Sequence, residues 1–459
     1  MKMNSVLAAF GAGILLSLSS FAAGPLDDAV LHGETDRERA IEYAPGETMT
    51  FTLSLQGARA FPEGAYFVNW TRTGDDGKSE SGRVDATTLP LVIRTSLDKP
   101  GFVRIEAFVT DAKGRVYRKS FTGDSTTPEG KVAMNRFERT DKRVFFDGGA
   151  GVQPEKLAAL PEPKDFDACW ARQWERLAKV PMKADRIELE SPNPNARLYA
   201  IEIACAGTHP VTGYLSIPKA AEKGAKFPAR IGFSGYGYRK DHPSLFPPKV
   251  VSDQIITLSI DAYGAKLPAF GADEAYYRAY AWEIGSNGYS YGFDPKQNED
   301  PETAFFNGMV LRVKRGLQYL KSLPEWDGKD LRAEGGSQGG LQTIWAAGCG
   351  EGVIRADSNI TWCCDLGGET VGRNRGGWYV HWVPALGYYD PVNFAKRIPA
   401  TCLTTITRAG LGDYTCPPSG LAILYNNLTC PKRIKWVQGS THGYVPSERH
   451  AEFTVEKGM

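Results

Sequence analysis

Between residues 25 and 145 apolar and polar positions alternate with a period of two. The run Thr48-Met49-Thr50-Phe51-Thr52-Leu53-Ser54-Leu55 is the clearest case. Such alternation sets one face of a strand against a core and the other toward solvent. The same pattern predicts strands at 65–71, 91–95, 102–109 and 116–121. Between them stand turn signals, Asp75-Asp76-Gly77-Lys78, Asp98-Lys99-Pro100-Gly101 and Asp111-Ala112-Lys113-Gly114. Short strands at this spacing, with no helical period between them, predict an all-β, immunoglobulin-like sandwich over 24–145.

A seam at 146–164 follows, marked by Gly148-Gly149-Ala150-Gly151, Pro154, Pro161 and Pro163. The period then changes. Phe166, Trp170, Trp174 and Leu177 recur at helical spacing after Asp165, which predicts an amphipathic helix. Beyond it strands and helices alternate. The segments 187–189, 196–204 and 213–217 form an antiparallel lead-in, and 230–233 and 255–260 are apolar strands. A helix at 303–320 precedes strands at 331–334, 356–361, 402–407 and 433–437, and a closing helix is expected at 447–455. This alternation predicts an open, mostly parallel α/β sheet for a second domain over 165–459. No repeat of 20 to 50 residues is visible, which argues against a propeller partner.

Composition narrows the class. At 459 residues, 42% hydrophobic and 23% charged, the chain is long enough for two or three domains with sizeable cores. Its formal net charge of +1 gives no electrostatic footprint for nucleic acid. Residues 1–23 combine Lys2, an apolar run from Val6 to Leu18 and small residues around Ala22 and Ala23. That is the pattern of a cleavable signal peptide, too short to span a membrane, with no cysteine for a lipid anchor. The expectation is a secreted or periplasmic protein without a membrane span. Eight cysteines include no C-x-x-C pair, so no structural zinc or other metal site is expected. Cys402 and Cys430 are candidates for neighbours. The three N-x-[ST] sequences, at Asn69, Asn359 and Asn427, are read as chance occurrences.

The densest chemical signal is Glu334-Gly335-Gly336-Ser337-Gln338-Gly339-Gly340, a G-x-S-x-G element between a short strand and the helical run Leu341 to Ala347. A serine on so sharp a turn stands at the top of a sheet, and flanking glycines let strand and helix approach. Its hydroxyl needs a base, and histidine suits neutral pH. Of the six histidines, His442 follows the apolar strand that ends at Val437, where such sheets keep functional groups. Asp413, after the strand 402–407 and before Cys416-Pro417-Pro418, is placed to orient it. The order Ser337, Asp413, His442 is that of an α/β-hydrolase. Oxyanion donors are then the backbone N–H groups of Gln338 and of Tyr236, the latter in Ser234-Gly235-Tyr236-Gly237.

Three segments carry a more specific resemblance. Gly335-Gly336-Ser337-Gln338-Gly339-Gly340, Gly412-Asp413-Tyr414-Thr415-Cys416-Pro417-Pro418-Ser419 and Tyr389-Asp390-Pro391-Val392-Asn393-Phe394-Ala395 resemble the acetylxylan esterase and cephalosporin C deacetylase family, carbohydrate esterase family seven. The segments Lys164 to Trp170 and Ser234-Gly235-Tyr236 fit the same pattern, so the likeness spans roughly 160 to 445. It implies an α/β-hydrolase fold, removal of acetyl groups from sugar hydroxyls, a Ser337–Asp413–His442 triad and no cofactor. Two loops depart from the family. Tyr263-Gly264-Ala265 stands where Arg-Gly-Gln is usual, and His442-Gly443 replaces His-Glu. The glycan and the oligomeric state therefore stay open. The other readings are a general carboxylesterase or serine peptidase on the same scaffold, and a non-catalytic carbohydrate-binding protein. The ten Trp and 20 Tyr suit a sugar site, though most are expected in the core. The β domain is read as a brace rather than a sugar binder.

Overall fold

The structure, a computed structural model, describes residues 23–237, 242–446 and 451–458. Strands β1 (Val30–Thr35) and β2 (Met49–Gln56), then β3 (Tyr66–Gly74), β4 (Ser79–Asp85), β5 (Leu91–Thr95), β6 (Gly101–Asp111) and β7 (Phe145–Val152) build two antiparallel sheets, ordered β1-β2-β5 and β4-β3-β6-β7. Inward positions of both, among them Phe51, Leu53, Val68, Ile93, Ile105, Val109 and Phe146, form one buried cluster. The period-two reading of residues 48–55 holds: Met49, Phe51 and Leu53 are buried, and Thr50, Thr52 and Ser54 are not.

Three predicted elements differ. Residues 116–121 form no strand, only isolated bridges at Val116 and Arg118, and helix α1 (Pro128–Glu138) follows with no buried residue. The seam at 146–164 begins instead with β7, every residue of which is buried. Its glycines resemble a linker signal, but their cause is close approach. A Cβ on Gly149 would strike the carbonyl of Val103 and lie 3.0 Å from that of Leu411, so a strand wedged there needs glycine. The closing helix is a strand, β17 (Glu452–Lys457), in which Phe453 and Val455 face the core and Glu452 and Glu456 pair with Lys435 and Arg433. His450 lies outside the described residues.

The larger unit starts with helix α2 (Phe166–Ala178), which buries Phe166, Trp170 and Leu177. Strands β8 (Ala184–Leu189), β9 (Ala196–Ile203), β10 (Val211–Pro218), β11 (Phe227–Phe233), β12 (Ile256–Ile260), β13 (Trp326–Gly336), β14 (Arg355–Asn359), β15 (Leu403–Gly410) and β16 (Lys432–Val437) join β17 in one sheet, ordered β17-β16-β15-β14-β13-β11-β12-β10-β9-β8. From β12 to β16 every pairing is parallel, while both edges are antiparallel. Helices α3 (Glu274–Ile284), α4 (Phe305–Ser322), α5 (Gln338–Gly348), α6 (Pro391–Ala395) and α7 (Pro418–Asn427) complete the unit. Helix α4 carries three buried cations, each held: Arg312 donates to the Ala262 carbonyl, Arg315 to that of Leu177, and Lys314 pairs with Glu351 at 2.7 Å. Pairing offsets the large cost of taking such charges out of water.

The two units are fastened together. The Gln438 side chain accepts from the Gly149 N–H (2.9 Å) and donates to its carbonyl (2.8 Å), as a neighbouring strand would. Phe102 stacks on Trp436 of β16, with ring centres 5.5 Å apart. Asp75 accepts from the Asn374 N–H at 2.7 Å. The eight cysteines are thiols. Cys402 and Cys430 do lie together, both facing the Thr404 hydroxyl.

Candidate active site

Ser337 sits between β13 and α5 at φ 56°, ψ −118°. A non-glycine residue there stores about 1–3 kcal/mol of strain and persists only if its surroundings hold it. They do. Its N–H donates to the Asn359 carbonyl (2.9 Å), and its carbonyl accepts from Leu341 (3.0 Å) and Trp362 (3.1 Å). The flanking glycines answer to space. A Cβ on Gly335 would meet the Gly339 carbonyl at 2.5 Å, and one on Gly339 would strike that of Phe233.

Asp413 follows β15 and is fully buried. Its Oδ1 accepts from the Thr415 (3.1 Å) and Cys416 (3.0 Å) N–H groups, which fixes the carboxylate plane. Its Oδ2 lies 3.0 Å from Nδ1 of His442, in the loop after β16. A carboxylate there accepts the Nδ1 proton and leaves Nε2 as the basic nitrogen. The segment after β14 ties this pair to the serine turn, because Ile360 accepts from the Cys416 thiol (3.2 Å) while Asn359 and Trp362 hold Ser337. Ser337, Asp413 and His442 thus each stand at the carboxyl end of a parallel strand.

The donor atoms of Asp413, Cys416 and His442 lie within 4.8 Å of one another. The carboxylate and imidazole are committed to each other, and burial with the Asp413 charge holds the Cys416 thiol well above its usual range. This is a hydrogen-bonded pair with a packed thiol beside it, rather than an open set of metal ligands.

Tyr236 follows β11. Its hydroxyl donates to the Tyr291 carbonyl (3.1 Å), its ring stacks on Tyr291 at 4.2 Å, and the Gly237 N–H donates to the Tyr291 hydroxyl (2.8 Å). Among the described residues neither the Tyr236 nor the Gln338 N–H has an acceptor. The Gln338 amide opens α5, where first-turn donors have no partner within the helix.

Residues that the pattern alone did not single out complete the site. Tyr263, in one departing loop, is buried, and its hydroxyl meets both the Tyr291 hydroxyl and the Gln338 side-chain amide. Burial pushes both tyrosines well above the usual range, so they act as neutral hydrogen-bonding groups. Trp378 packs edge-on against Tyr236 (4.8 Å) and stacks on Trp362 (5.2 Å). The aromatic density of 289–293 and 376–382 was the available signal, but aromatic residues are common in cores. Glu334, a charge beside the nucleophile turn, pairs with Arg230 of β11 at 3.0 Å and is about half exposed, so its strand end is open to solvent.

A sheet of this order with a serine at its central strand-to-helix turn fits several kinds of hydrolase, and the comparisons with known proteins narrow these to a carboxylic ester hydrolase. Residues 155–367 and 380–456 match the family described as acetyl xylan esterase (AXE1), and the chain belongs to that family. Acetyl esterase Axe7A of Xylanibacter ruminicola is 30% identical over 312 residues, 64% of this chain and 68% of that protein. Among solved structures, the acetyl xylan esterase from Paenibacillus sp. R4 has a TM-score of 0.52 at 23% identity, covering 63% of this chain and 93% of its own. Acetyl xylan esterase 1 from Thermoanaerobacterium sp. JW/SL YS485 has a TM-score of 0.50 at 20% identity, covering 63% and 92%. These two show the shared fold. The family match starts after β7, so the two N-terminal sheets lie outside it.

Proposed function

We propose that the protein is an exported serine esterase that removes O-acetyl groups from carbohydrates, acetylated xylan or a related glycan. The observations that support the mechanism are the 3.0 Å Asp413–His442 pair and a serine held at φ 56° at the carboxyl end of another parallel strand of the same sheet. His442 Nε2 takes the Ser337 proton as Oγ attacks the ester carbonyl. The Gln338 and Tyr236 amides stabilise the resulting oxyanion, each worth roughly 3–4 kcal/mol in the transition state. His442 then protonates the departing sugar oxygen, leaving an acetyl-enzyme. Water, deprotonated by His442, attacks it and releases acetate. No step calls for a cofactor. Replacing Ser337 by Ala should abolish acetate release from acetylated xylan; wild-type turnover by that variant would refute the assignment. Aryl esters and dipeptide amides assayed beside it separate a sugar esterase from a general carboxylesterase or peptidase.

Export rests on the Met1-to-Gly24 pattern, and the mature protein would begin near Gly24. We assign the two N-terminal sheets to an immunoglobulin-like domain that braces the catalytic one. Supporting this is where it touches: β7 abuts Gly412, next to Asp413, and Phe145 packs on Tyr444, two residues past His442, at 5.0 Å.

A further inference from the structure

A bulge in β15 brings to the site a cation that the mechanism above does not use. β15 advances from Ile406 to Ala409 while its neighbour β16 advances only from Ile434 to Trp436, so β15 carries one extra residue. The register against β14 shifts at the same level, where Ser358 pairs with Ile406 and Asn359 with Arg408. Thr404 and Ile406 are buried, and strict alternation would bury Arg408 next. With the extra residue Ala409 takes the buried place instead, and Arg408 is only partly buried. Bulges re-aim a side chain in this way beside active sites.

Arg408 is bonded to segments on both sides of the site. Its guanidinium donates to the His442 carbonyl at 3.2 Å. Its own carbonyl accepts from the Ile360 N–H at 3.1 Å, and Ile360 adjoins Asn359, whose carbonyl holds the Ser337 N–H. Asp413 follows in the loop after the same strand. Ile360 is itself strained, a β-branched residue at φ 41°. Its carbonyl accepts from the Cys416 thiol, so both of its backbone polar groups are bonded to residues that flank Asp413 in the chain. Burial pulls the Arg408 guanidinium below its usual range, and the Asp413 charge draws it back. Taking a cation partly out of water costs free energy that a neutral side chain would avoid, so packing alone does not account for arginine here.

Resting on the esterase reading above, we propose that Arg408 is a positioning residue for the reaction, tying the backbone of His442 to the segment that holds Ser337 and so setting the spacing of base and nucleophile. It touches neither substrate nor the reacting atoms and acts through His442. The test measures kcat and KM on 4-nitrophenyl acetate, with thermal melts alongside, for the full chain carrying Arg408→Met or Arg408→Lys. Each change is also made in the Asp413→Asn background. Methionine keeps the length of the side chain and removes its charge and donors. Arg408→Met should lower kcat on the order of tenfold and leave KM within about twofold of wild type, because only the alignment of bound groups is lost. Its Tm should change little, since relief from burying a charge offsets the lost bond to the His442 carbonyl. Arg408→Lys, which keeps a charge and a donor, should recover part of kcat. In the Asp413→Asn background, where His442 is already misheld, Arg408→Met should cost less than about twofold more, as residues of one network are not additive. A kcat for Arg408→Met within twofold of wild type overturns the proposal. So does a lysine variant no better than the methionine one, a loss that appears in KM or follows a fall in Tm, or an undiminished loss in the Asp413→Asn background. A near-wild-type rate for Asp413→Asn alone would instead count against the triad, and the two single Arg408 variants would still decide the role of Arg408.

Discussion

The two sides of the site are held by different means. On the acid–imidazole side, the Asp413 and His442 loops lean on the N-terminal sheets. A Cβ on Gly412 would strike the Asp147 carbonyl, the Arg104 guanidinium lies 4.6 Å from the Tyr414 ring centre, and Gln438 is bonded twice to Gly149. On the serine–amide side, the contacts are aromatic and internal to the larger unit: Tyr236, Tyr263 and Tyr291 interlock through rings and hydroxyls around the Gln338 side chain. The first side is fixed by backbone geometry and charge, which suits a pair whose alignment must not vary. The second offers shape and neutral polarity, which suits recognition. Substitutions on the first side should therefore act mainly on kcat, and substitutions of the aromatic side chains on the second mainly on substrate choice.

The largest expected effect lies on the first side. Asp413→Asn keeps a carbonyl oxygen for the Thr415 and Cys416 amides but no longer holds His442 in its working tautomer. The expected loss in kcat is roughly 10⁴-fold at nearly wild-type stability; a loss below about tenfold on 4-nitrophenyl acetate would remove Asp413 from the mechanism.

Gln438→Ala and Tyr263→Phe make a matched pair, one from each side. Gln438→Ala strips both partners from buried Gly149 and should cost on the order of 3 kcal/mol, lowering Tm by several degrees. It should also reduce kcat more than it raises KM, because the strand it releases lies against Gly412. Tyr263→Phe removes one hydroxyl from Gln338, while the Tyr291 hydroxyl remains 3.4 Å from its Oε1, so about 1–2 kcal/mol is expected. Its kinetic effect should fall mainly on substrate choice. If Tyr263→Phe costs more kcat than Gln438→Ala, the division of roles is wrong.

The smallest effect is a pH dependence at the junction. Asp147 pairs with Arg104 at 2.6 Å, yet burial outweighs that attraction and pushes its carboxyl up to about 6. A carboxyl raised on folding binds more protons in the native state between its unfolded value of about 4 and its folded value, so its contribution to stability declines as pH rises through that window. Thermal unfolding from pH 4 to 6 should show this component in wild type, and Asp147→Asn should remove it. An identical slope in the variant would show that burial does not govern Asp147.

How much of this could be read from the chain follows from the same contrast. The alternation at 48–55 and the apolar runs before Ser337, Asp413 and His442 are local signals, so those strands and the order of the three residues were legible. The glycines of β7 were not, because their cause is a close approach to Val103 and Leu411, far away in the chain. β17 does not show in the chain because the alternation of Glu452-Phe453-Thr454-Val455-Glu456 is short and its charge partners, Arg433 and Lys435, lie on another strand. Tyr263 registered only as a departure from a family pattern, and its hydrogen bond to Gln338 joins positions 75 residues apart in the chain. Local periodicity shows elements, while the fit between distant segments shows only when the chain is folded.

The central claim is that the Asp413–His442 pair activates Ser337 as a nucleophile. Its most direct test is peptide mass spectrometry after exposure to a fluorophosphonate, which reacts with activated serine hydroxyls. The account predicts one adduct, on the peptide carrying Ser337, formed rapidly in wild type, absent in Ser337→Ala and strongly slowed in His442→Ala. An adduct on another residue, or one that forms on Ser337 at the wild-type rate without His442, would contradict it.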